Sequence, residues 1–493
     1  MNKLLRINQN DNVVIALDDL KKGEVVDGIQ IMEDIGAGHK IAAVDIKEGE
    51  NVVKYGSPIG SAQKGVSKGH QIHVHNTKTN LGDLNDYKYD GCVVDDIITK
   101  IPDRDVKIYR RKNGDIGIRN ELWIVPTVAC VNKIGEIIID EFKSEIEDLS
   151  DIDGINVYSH PYGCSQMGDD HENTKLALQD IAKHPNAGGV LVLGLGCENN
   201  QIGQFKQTLG NYDDERIKFL ISQEVDDEIE EGVKILKELY NKMKTDKREP
   251  GKLSELRIGL ECGGSDGFSG ISANPLLGEL SDYLIYHGGT TVLTEVPEMF
   301  GAEHILMSRA KNEEVFHKIV KMINDFKMYY KNHGQTIYEN PSPGNKKGGI
   351  TTLEDKALGC TQKAGNSKVT DVLEYGEIIK EKGLNLLTAP GNDLVATTAL
   401  GMSGCQIVLF TTGRGTPYGG FVPTMKISTN SALANKKPRW IDFNAGRLME
   451  GVPMDELLIE FVDYLVDVVN GTMVNNEKNN AKEIAIFKSG VIL

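Results

Sequence analysis

Two histidines at a spacing of two, His73 and His75, stand in the run Gly69-His70-Gln71-Ile72-His73-Val74-His75-Asn76. On a strand, residues two apart project to the same face. The pair would then offer two imidazoles to a metal ion or form an acid–base couple. His70 is at odd spacing and would point elsewhere, while Gly38-His39-Lys40 adds a further imidazole upstream. The same histidines on an open sheet edge would simply meet solvent, and the pattern leaves both readings standing.

Four cysteines sit in glycine turns: Gly163-Cys164-Ser165-Gln166, Gly196-Cys197-Glu198, Glu261-Cys262-Gly263-Gly264-Ser265-Asp266 and Gly359-Cys360-Thr361-Gln362. Cys197 follows the apolar run 189–194 and Cys262 follows Ile258-Gly259-Leu260. Those are the carboxyl ends of expected parallel strands, where α/β proteins place ligands. Glycine lets a ligand or backbone approach closely, and thiolates favour Fe(II) or Zn(II). The competing reading of each cysteine is a small buried hydrophobe. Absence of a C-x-x-C pair argues against a zinc ribbon. The segment His160 to His171 packs Cys164, Asp169, Asp170 and two histidines together, although its acidic pair would equally cap a following helix.

Anion binding has its own candidates. Thr411-Thr412-Gly413-Arg414-Gly415-Thr416 follows an apolar run, and a guanidinium grips carboxylates with two parallel hydrogen bonds. Lys363 lies in the loop 359–365, and Pro390-Gly391-Asn392-Asp393 ends another expected strand. Neither G-x-x-x-x-G-K-[ST] nor G-x-G-x-x-G after a strand is present, which disfavours nucleotide binding and a nicotinamide oxidoreductase.

The elements that must hold these residues change character along the chain. Residues 11–82 alternate short apolar runs (Val13 to Leu17, Gly28 to Ile31, Lys40 to Ala42, Val52 to Tyr55) with glycine turns, as a small β unit does. An acidic stretch from Leu81 to Arg104, with Asp83, Asp86, Asp90, Asp95, Asp96 and Asp103, reads as an extended linker. From about 106, apolar strands near 122–126, 189–194, 291–293, 384–387, 406–410 and 425–427 alternate with helices near 135–147, 226–244 and 312–330. That rhythm predicts a mostly parallel sheet covered on both faces.

The chain has 493 residues, 40% hydrophobic and 26% charged, which is enough for several domains with ordinary cores. Lys plus Arg is 55 against 72 for Asp plus Glu, a net charge of −17. So acidic a surface argues against nucleic acid and against anionic membrane, and an anionic substrate would need local cations. There is no apolar stretch of about 18 residues for a membrane span and no signal-peptide core, so the expected location is the cytoplasm. Seven cysteines in such a chain are expected to be reduced.

Several longer blocks carry a specific resemblance. Lys54-Tyr55-Gly56-Ser57-Pro58-Ile59-Gly60, His73-Val74-His75-Asn76-Thr77, Arg119-Asn120-Glu121-Leu122-Trp123 and Tyr162-Gly163-Cys164-Ser165-Gln166 are four of them. Gly194 to Asn200, Leu260 to Gly267, Glu295 to Glu303 and Gly413 to Gly420 continue the series. With these, the chain resembles the altronate/galactarate dehydratase family along essentially its whole length. The resemblance implies an α/β multidomain protein. Its parts would be an N-terminal β-clip (SAF-type) domain over 1–85, a linker over 86–105, a middle α/β domain over 106–250 that helps form a homodimer, and a C-terminal Rossmann-like domain over 251–493 with a mostly parallel sheet. It further implies a hydro-lyase that dehydrates a sugar acid, D-altronate first and galactarate as runner-up, with Fe2+ or else Mn2+ under reducing conditions.

Dehydration removes the proton α to the carboxylate and expels the β-hydroxyl, giving a 2-keto-3-deoxy acid. The chemistry needs stabilisation of the enediolate, a base and an acid. The expectation is a metal between the β-clip and C-terminal domains, drawing ligands from His73, His75, Cys164, Cys197, Cys262 and Cys360. His39 is the expected acid–base residue, with Glu198 and Asp266 as alternatives; Arg414, Lys363 and Asn392 are the expected substrate contacts. An iron–sulfur cluster competes with a single ion, and a sugar-acid-binding regulator is the non-enzymatic alternative.

Overall fold

The computed structural model describes residues 3–82, 84, 87–94 and 96–490. Asp83, Asp86 and Asp95 of the acidic stretch lie outside the described residues.

Residues 4–78 form small antiparallel sheets. One contains Leu4–Leu5, Val13–Ala16, Lys40–Ala42 and Gln71–Ile72; another contains Asn51–Lys54, Ser57–Ala62 and Thr77–Lys78. So small a unit closes little core alone. It completes one by laying Val13, Ala42, Val52, Ile59 and Ile72 against Ala302, Ala357 and Leu358 of the C-terminal half. Beneath this contact lies a buried triad: Asp355 accepts from Lys40 Nζ at 2.7 Å and from Lys54 Nζ at 3.0 Å. Backbone meets backbone beside it. A Cβ on Gly267 would stand 1.9 Å from the Gly38 carbonyl oxygen, and one on Gly349 would stand 2.5 Å from it.

The acidic stretch forms no regular element between Thr79 and Arg104 among the described residues. It is nonetheless packed: Tyr89 meets Phe316 with ring centroids 5.4 Å apart, Val93 N–H donates to Ser308, and Tyr283 Oη donates to the Pro102 carbonyl.

The middle of the chain carries four parallel strands in the spatial order Gly154–Val157, Glu121–Pro126, Ala187–Gly194, Ile217–Ile221. Strand pleating divides the apolar residues between faces. Leu122, Ile124, Leu191 and Leu193 pack on the helices Asn132–Glu145 and Glu228–Met243. Trp123, Val125, Val190 and Val192 pack on Gly168–Ala182 and Ile202–Leu209, and their cluster continues into Leu400, Val408 and Phe421. Near residue 250 the chain pairs back, Glu249–Lys252 lying antiparallel to Asp105–Arg110.

The C-terminal sheet has seven parallel strands in the order Val369–Leu373, Gly383–Leu387, Thr290–Leu293, Arg257–Cys262, Ile407–Thr412, Thr424–Ser428, Phe443–Asn444. Chain order reverses between Arg257–Cys262 and Ile407–Thr412. Loops leaving two such neighbours at their carboxyl ends diverge to opposite faces and leave a crevice. No helix is long and apolar enough to cross a membrane among the described residues.

Candidate functional site

The crevice at this reversal is lined by Cys262-Gly263-Gly264 from one strand and Gly413-Arg414 from the other. Gly263 has no room for a side chain, because the Asp393 carboxylate and the Phe410 ring occupy it. The helix Leu353–Cys360 brings Cys360 to Cys262, Sγ to Sγ 3.4 Å, with both thiols buried. A short turn after Thr290–Leu293 supplies two carboxylates. Glu295 takes a left-handed conformation (φ 67°) that starts the turn Val296–Met299 and aims Glu295 and Glu298 inward. Glu298 Oε2 lies 3.0 Å from Cys360 Sγ and 3.3 Å from Cys262 Sγ, while its Oε1 accepts from Lys356 Nζ at 2.5 Å. Glu295 accepts the Cys262 N–H at 3.0 Å and Lys363 Nζ at 2.7 Å.

Two ammonium groups therefore face two carboxylates and two thiols in a space closed to water. The hydrogen bond with Cys360 lowers the Cys262 thiol, and Lys363 and Lys356 add to the effect against burial and Glu298. Burial opposes ionisation of Glu298, but Lys356 and Lys363 outweigh it and hold that carboxyl below its usual value. Burial first, then the nearby Glu298, pushes Asp393 up to about 6.

The histidines meet the same region across the domain contact. His39 and His73 are edge to face with ring centroids 5.3 Å apart. Gln71 Nε2 lies 2.8 Å from His39 Nδ1, and Thr351 Oγ1 lies 3.3 Å from His73 Nδ1. Burial, then Lys40, lowers His39. Burial, then Lys40 and the other two imidazoles, lowers His73 to about 4. Both rings are thus neutral near pH 7. His73 and His75 do not share a strand face as the alternation predicts. Residues 73–76 form a turn, closed by Asn76 N–H donating to His73 and by the Asn76 side chain accepting the His73 N–H, which leaves His75 exposed.

Most of the other expected residues gather around the crevice. Asp266 is buried and accepts from Thr429, Ser269, Phe268 N–H and Asn430, so it fastens loops together. It fills the space beside Gly413, and Gly348 packs against it. Arg414 is exposed, with one long contact of 3.5 Å to the Gly344 carbonyl. Lys363 is held by Glu295 rather than left open to a ligand. Asn392 caps the helix Asp393–Met402 by accepting from Val395 N–H, and the adjacent Gly391 packs near Glu298. Cys164, Cys197 and Glu198 belong to the middle sheet instead. Both thiols are exposed there, and buried Glu198 accepts from Leu195 N–H, Gly196 N–H and Thr127 Oγ1.

Glu295, Glu298, Lys356, Asp355, Lys40 and Lys54 were not singled out from the sequence as site residues. Two signals pointed to some of them. Glu295 and Glu298 stand three apart directly after an apolar strand, and Lys356 precedes Cys360 by one helical turn.

Two groups of ligating side chains have all their ligand atoms within 4.8 Å of one another among the described residues: Cys262–Glu298–Cys360 and Glu261–Glu295–Asp393. Neither includes a histidine. Two thiols and a carboxylate suit Fe(II) or Zn(II) better than Mn(II). The Lys356 contact to the outer oxygen of Glu298 is the kind of support that ligating carboxylates require. The donor set fits a divalent ion.

Three family models match successive parts of the chain. They are the altronate/galactarate dehydratase SAF domain over residues 2–80, the D-galactarate dehydratase/altronate hydrolase second domain over 108–244 and the D-galactarate/altronate dehydratase C-terminal domain over 253–492. The chain is 59% identical to an altronate dehydratase of Escherichia coli over 99% of each protein, and 59% identical to one of Bacillus subtilis over the full length of both. Identity to a galactarate dehydratase (L-threo-forming) of E. coli is 31%, over 95% of this chain and 92% of that one. The N-terminal sheets are accordingly a SAF domain, and the chain belongs to the altronate/galactarate dehydratase family of hydro-lyases.

Proposed function

We propose that this protein dehydrates D-altronate to 2-dehydro-3-deoxy-D-gluconate, a step in sugar-acid breakdown. The observation that carries the reading is 59% identity to two altronate dehydratases over the whole chain, together with the crevice described above.

In this reading Arg414 holds the substrate carboxylate, being the exposed guanidinium at the crevice mouth. The acid–base work falls to His39 and His73. With the Gln71 amide nitrogen donating to Nδ1, His39 carries its proton on Nε2 and hydrogen-bonds the departing hydroxyl, which leaves as water with the proton that His73 takes up. His73 donates from Nδ1 to Thr351, so Nε2 keeps its lone pair and takes the α-proton. An anionic substrate beside them opposes the influence of Lys40 and strengthens His73 as a base. Cys262, Cys360 and Glu298 would hold a divalent ion, iron in this reading, which when bound supplies Lewis-acid stabilisation of developing negative charge. Lys356 and Lys363 keep the Glu298 carboxylate ionised. The strand order of the C-terminal sheet supports a Rossmann-like domain. Homodimer formation through the middle domain and a cytoplasmic location complete the reading; seven free cysteines support a reducing compartment.

The test is a panel of hexonates and hexarates with Fe(II) and a reductant, scored for a 2-keto-3-deoxy acid. Altronate should be the best substrate. No product from altronate, or faster turnover of galactarate, would overturn the assignment.

A further inference from the structure

The carboxyl ends of the middle sheet carry a second set of thiols that the crevice does not use. Three neighbouring parallel strands, Gly154–Val157, Glu121–Pro126 and Ala187–Gly194, each lead into a loop with one cysteine: Cys164, Cys130 and Cys197. All three are exposed, whereas Cys262, Cys360 and Cys405 are buried. Free cysteine is among the most buried residue types, so three exposed thiols on adjoining loops at a ligand-binding end of a sheet are not accounted for by packing.

The loops are also fastened to one another. Ala129 N–H donates to the Tyr162 carbonyl and Asn200 N–H to the Gly163 carbonyl. Asn200 Nδ2 donates to the Thr127 carbonyl, and Ser165 N–H donates to Asn199 Oδ1. Gly163 has φ 97°, and a Cβ there would stand 2.1 Å from the Thr127 carbonyl oxygen, so the Cys164 loop rests directly on the backbone leading to Cys130. Buried His160 joins them, its Nε2 2.8 Å from the Pro126 carbonyl. Buried Glu198 fixes the turn around Cys197 through the Leu195 and Gly196 N–H groups. These bonds order the backbone beside each exposed cysteine, and Gln223 Nε2 and Ser165 Oγ lie 3.7 Å and 3.8 Å from the Cys197 and Cys164 sulfurs.

We propose that Cys130, Cys164 and Cys197 form a three-thiolate site for an iron–sulfur cluster, separate from the Cys262–Cys360 centre. An all-sulfur donor set selects Cu(I), zinc or iron–sulfur clusters over harder ions. The trio is not among the groups gathered within 4.8 Å, as it would be around one ion with metal–sulfur bonds of about 2.3 Å. A cluster spreads its ligands over several irons and tolerates a wider spacing than one ion does. Three thiolates leave one iron without a protein ligand at the solvent face.

The test is anaerobic reconstitution of the full chain with Fe(III), a thiol reductant and sulfide, followed by visible absorption and assays of iron and acid-labile sulfide. Wild type is expected to turn brown and to hold both. Cys130→Ser, Cys164→Ser and Cys197→Ser should each lose most of the labile sulfide; Cys262→Ser and Cys360→Ser should keep it. Alkylation mapped by mass spectrometry gives a second readout on unmutated protein, in which loading should protect Cys130, Cys164 and Cys197. Iron without labile sulfide, colour that survives the three substitutions, loss only on removing Cys262 or Cys360, or unprotected thiols after loading would each overturn the site. None of these readouts depends on dehydration, so the altronate assignment stands or falls separately.

Discussion

Cys262 and Cys360 reach each other from elements 98 positions apart in the chain, their sulfurs 3.4 Å apart and both within 3.3 Å of one Glu298 oxygen. The pair depends on the SAF domain seating the helix that bears Cys360, since that helix completes the small domain's core. Cys360→Ser is expected to weaken Fe(II) binding by more than the roughly 10–100-fold that losing an outer-shell partner costs. Competition against a coloured chelator measures it, and unchanged iron affinity would remove these thiols from the metal centre.

Acid–base roles for His39 and His73 give a different signature. His39→Gln and His73→Ala should each lower kcat by about 10²–10⁴-fold with little change in thermal midpoint, both rings being only partly buried. His75→Ala, in the exposed turn, separates a local role from a direct one. A His73→Ala enzyme with wild-type kcat would refute the assignment of the base.

Arg414→Ala should lower kcat/KM about 10–100-fold, the worth of roughly 1.5–3 kcal/mol for a charge-assisted hydrogen bond. The fold should be untouched, because the side chain is exposed. Arg414→Lys should recover only part, since an ammonium cannot make the bidentate contact. Steady-state kinetics on the two variants decide it.

Asp355 between Lys40 and Lys54 yields an expectation about pH. Burial alone would raise its carboxyl, but the two ammonium groups hold it far below the usual carboxylate value. A depressed carboxylate stabilises the fold fully above its unfolded value of about 4, and the contribution is lost as pH falls towards the folded value. Asp355→Asn should therefore cost about 3–5 kcal/mol at neutral pH by leaving two buried ammonium groups unpaired. The gap to wild type in urea melts should narrow below about pH 4; a constant gap would argue against the linkage.

The strands at 122–126, 189–194, 291–293 and 384–387 were legible because parallel strands covered on both faces are continuously apolar. Helices near 226–244 and 312–330 were legible from their amphipathic period and are found at Glu228–Met243 and Glu313–Asn332. The SAF domain is harder, since turns rather than strands dominate it. Alternation at His73 and His75 imitates a strand, but Asn76 closes a turn there by accepting the His73 N–H. Cys262 and Cys360 could be flagged singly, whereas their union with Glu298 and Lys356 is a tertiary fact that no local spacing encodes. The four flagged cysteines also look alike in sequence, each beside glycine, and only the sheet order assigns two to each half.

Gly267 and Gly349 press their bare backbones onto Gly38, next to His39. A single methyl at Gly267 would act as a wedge, tilting the histidine-bearing domain away from the strand ends without altering any charged or ligating group. Natural variation at that position would then tune how open the mouth of the enzyme stands, independently of the chemistry inside it.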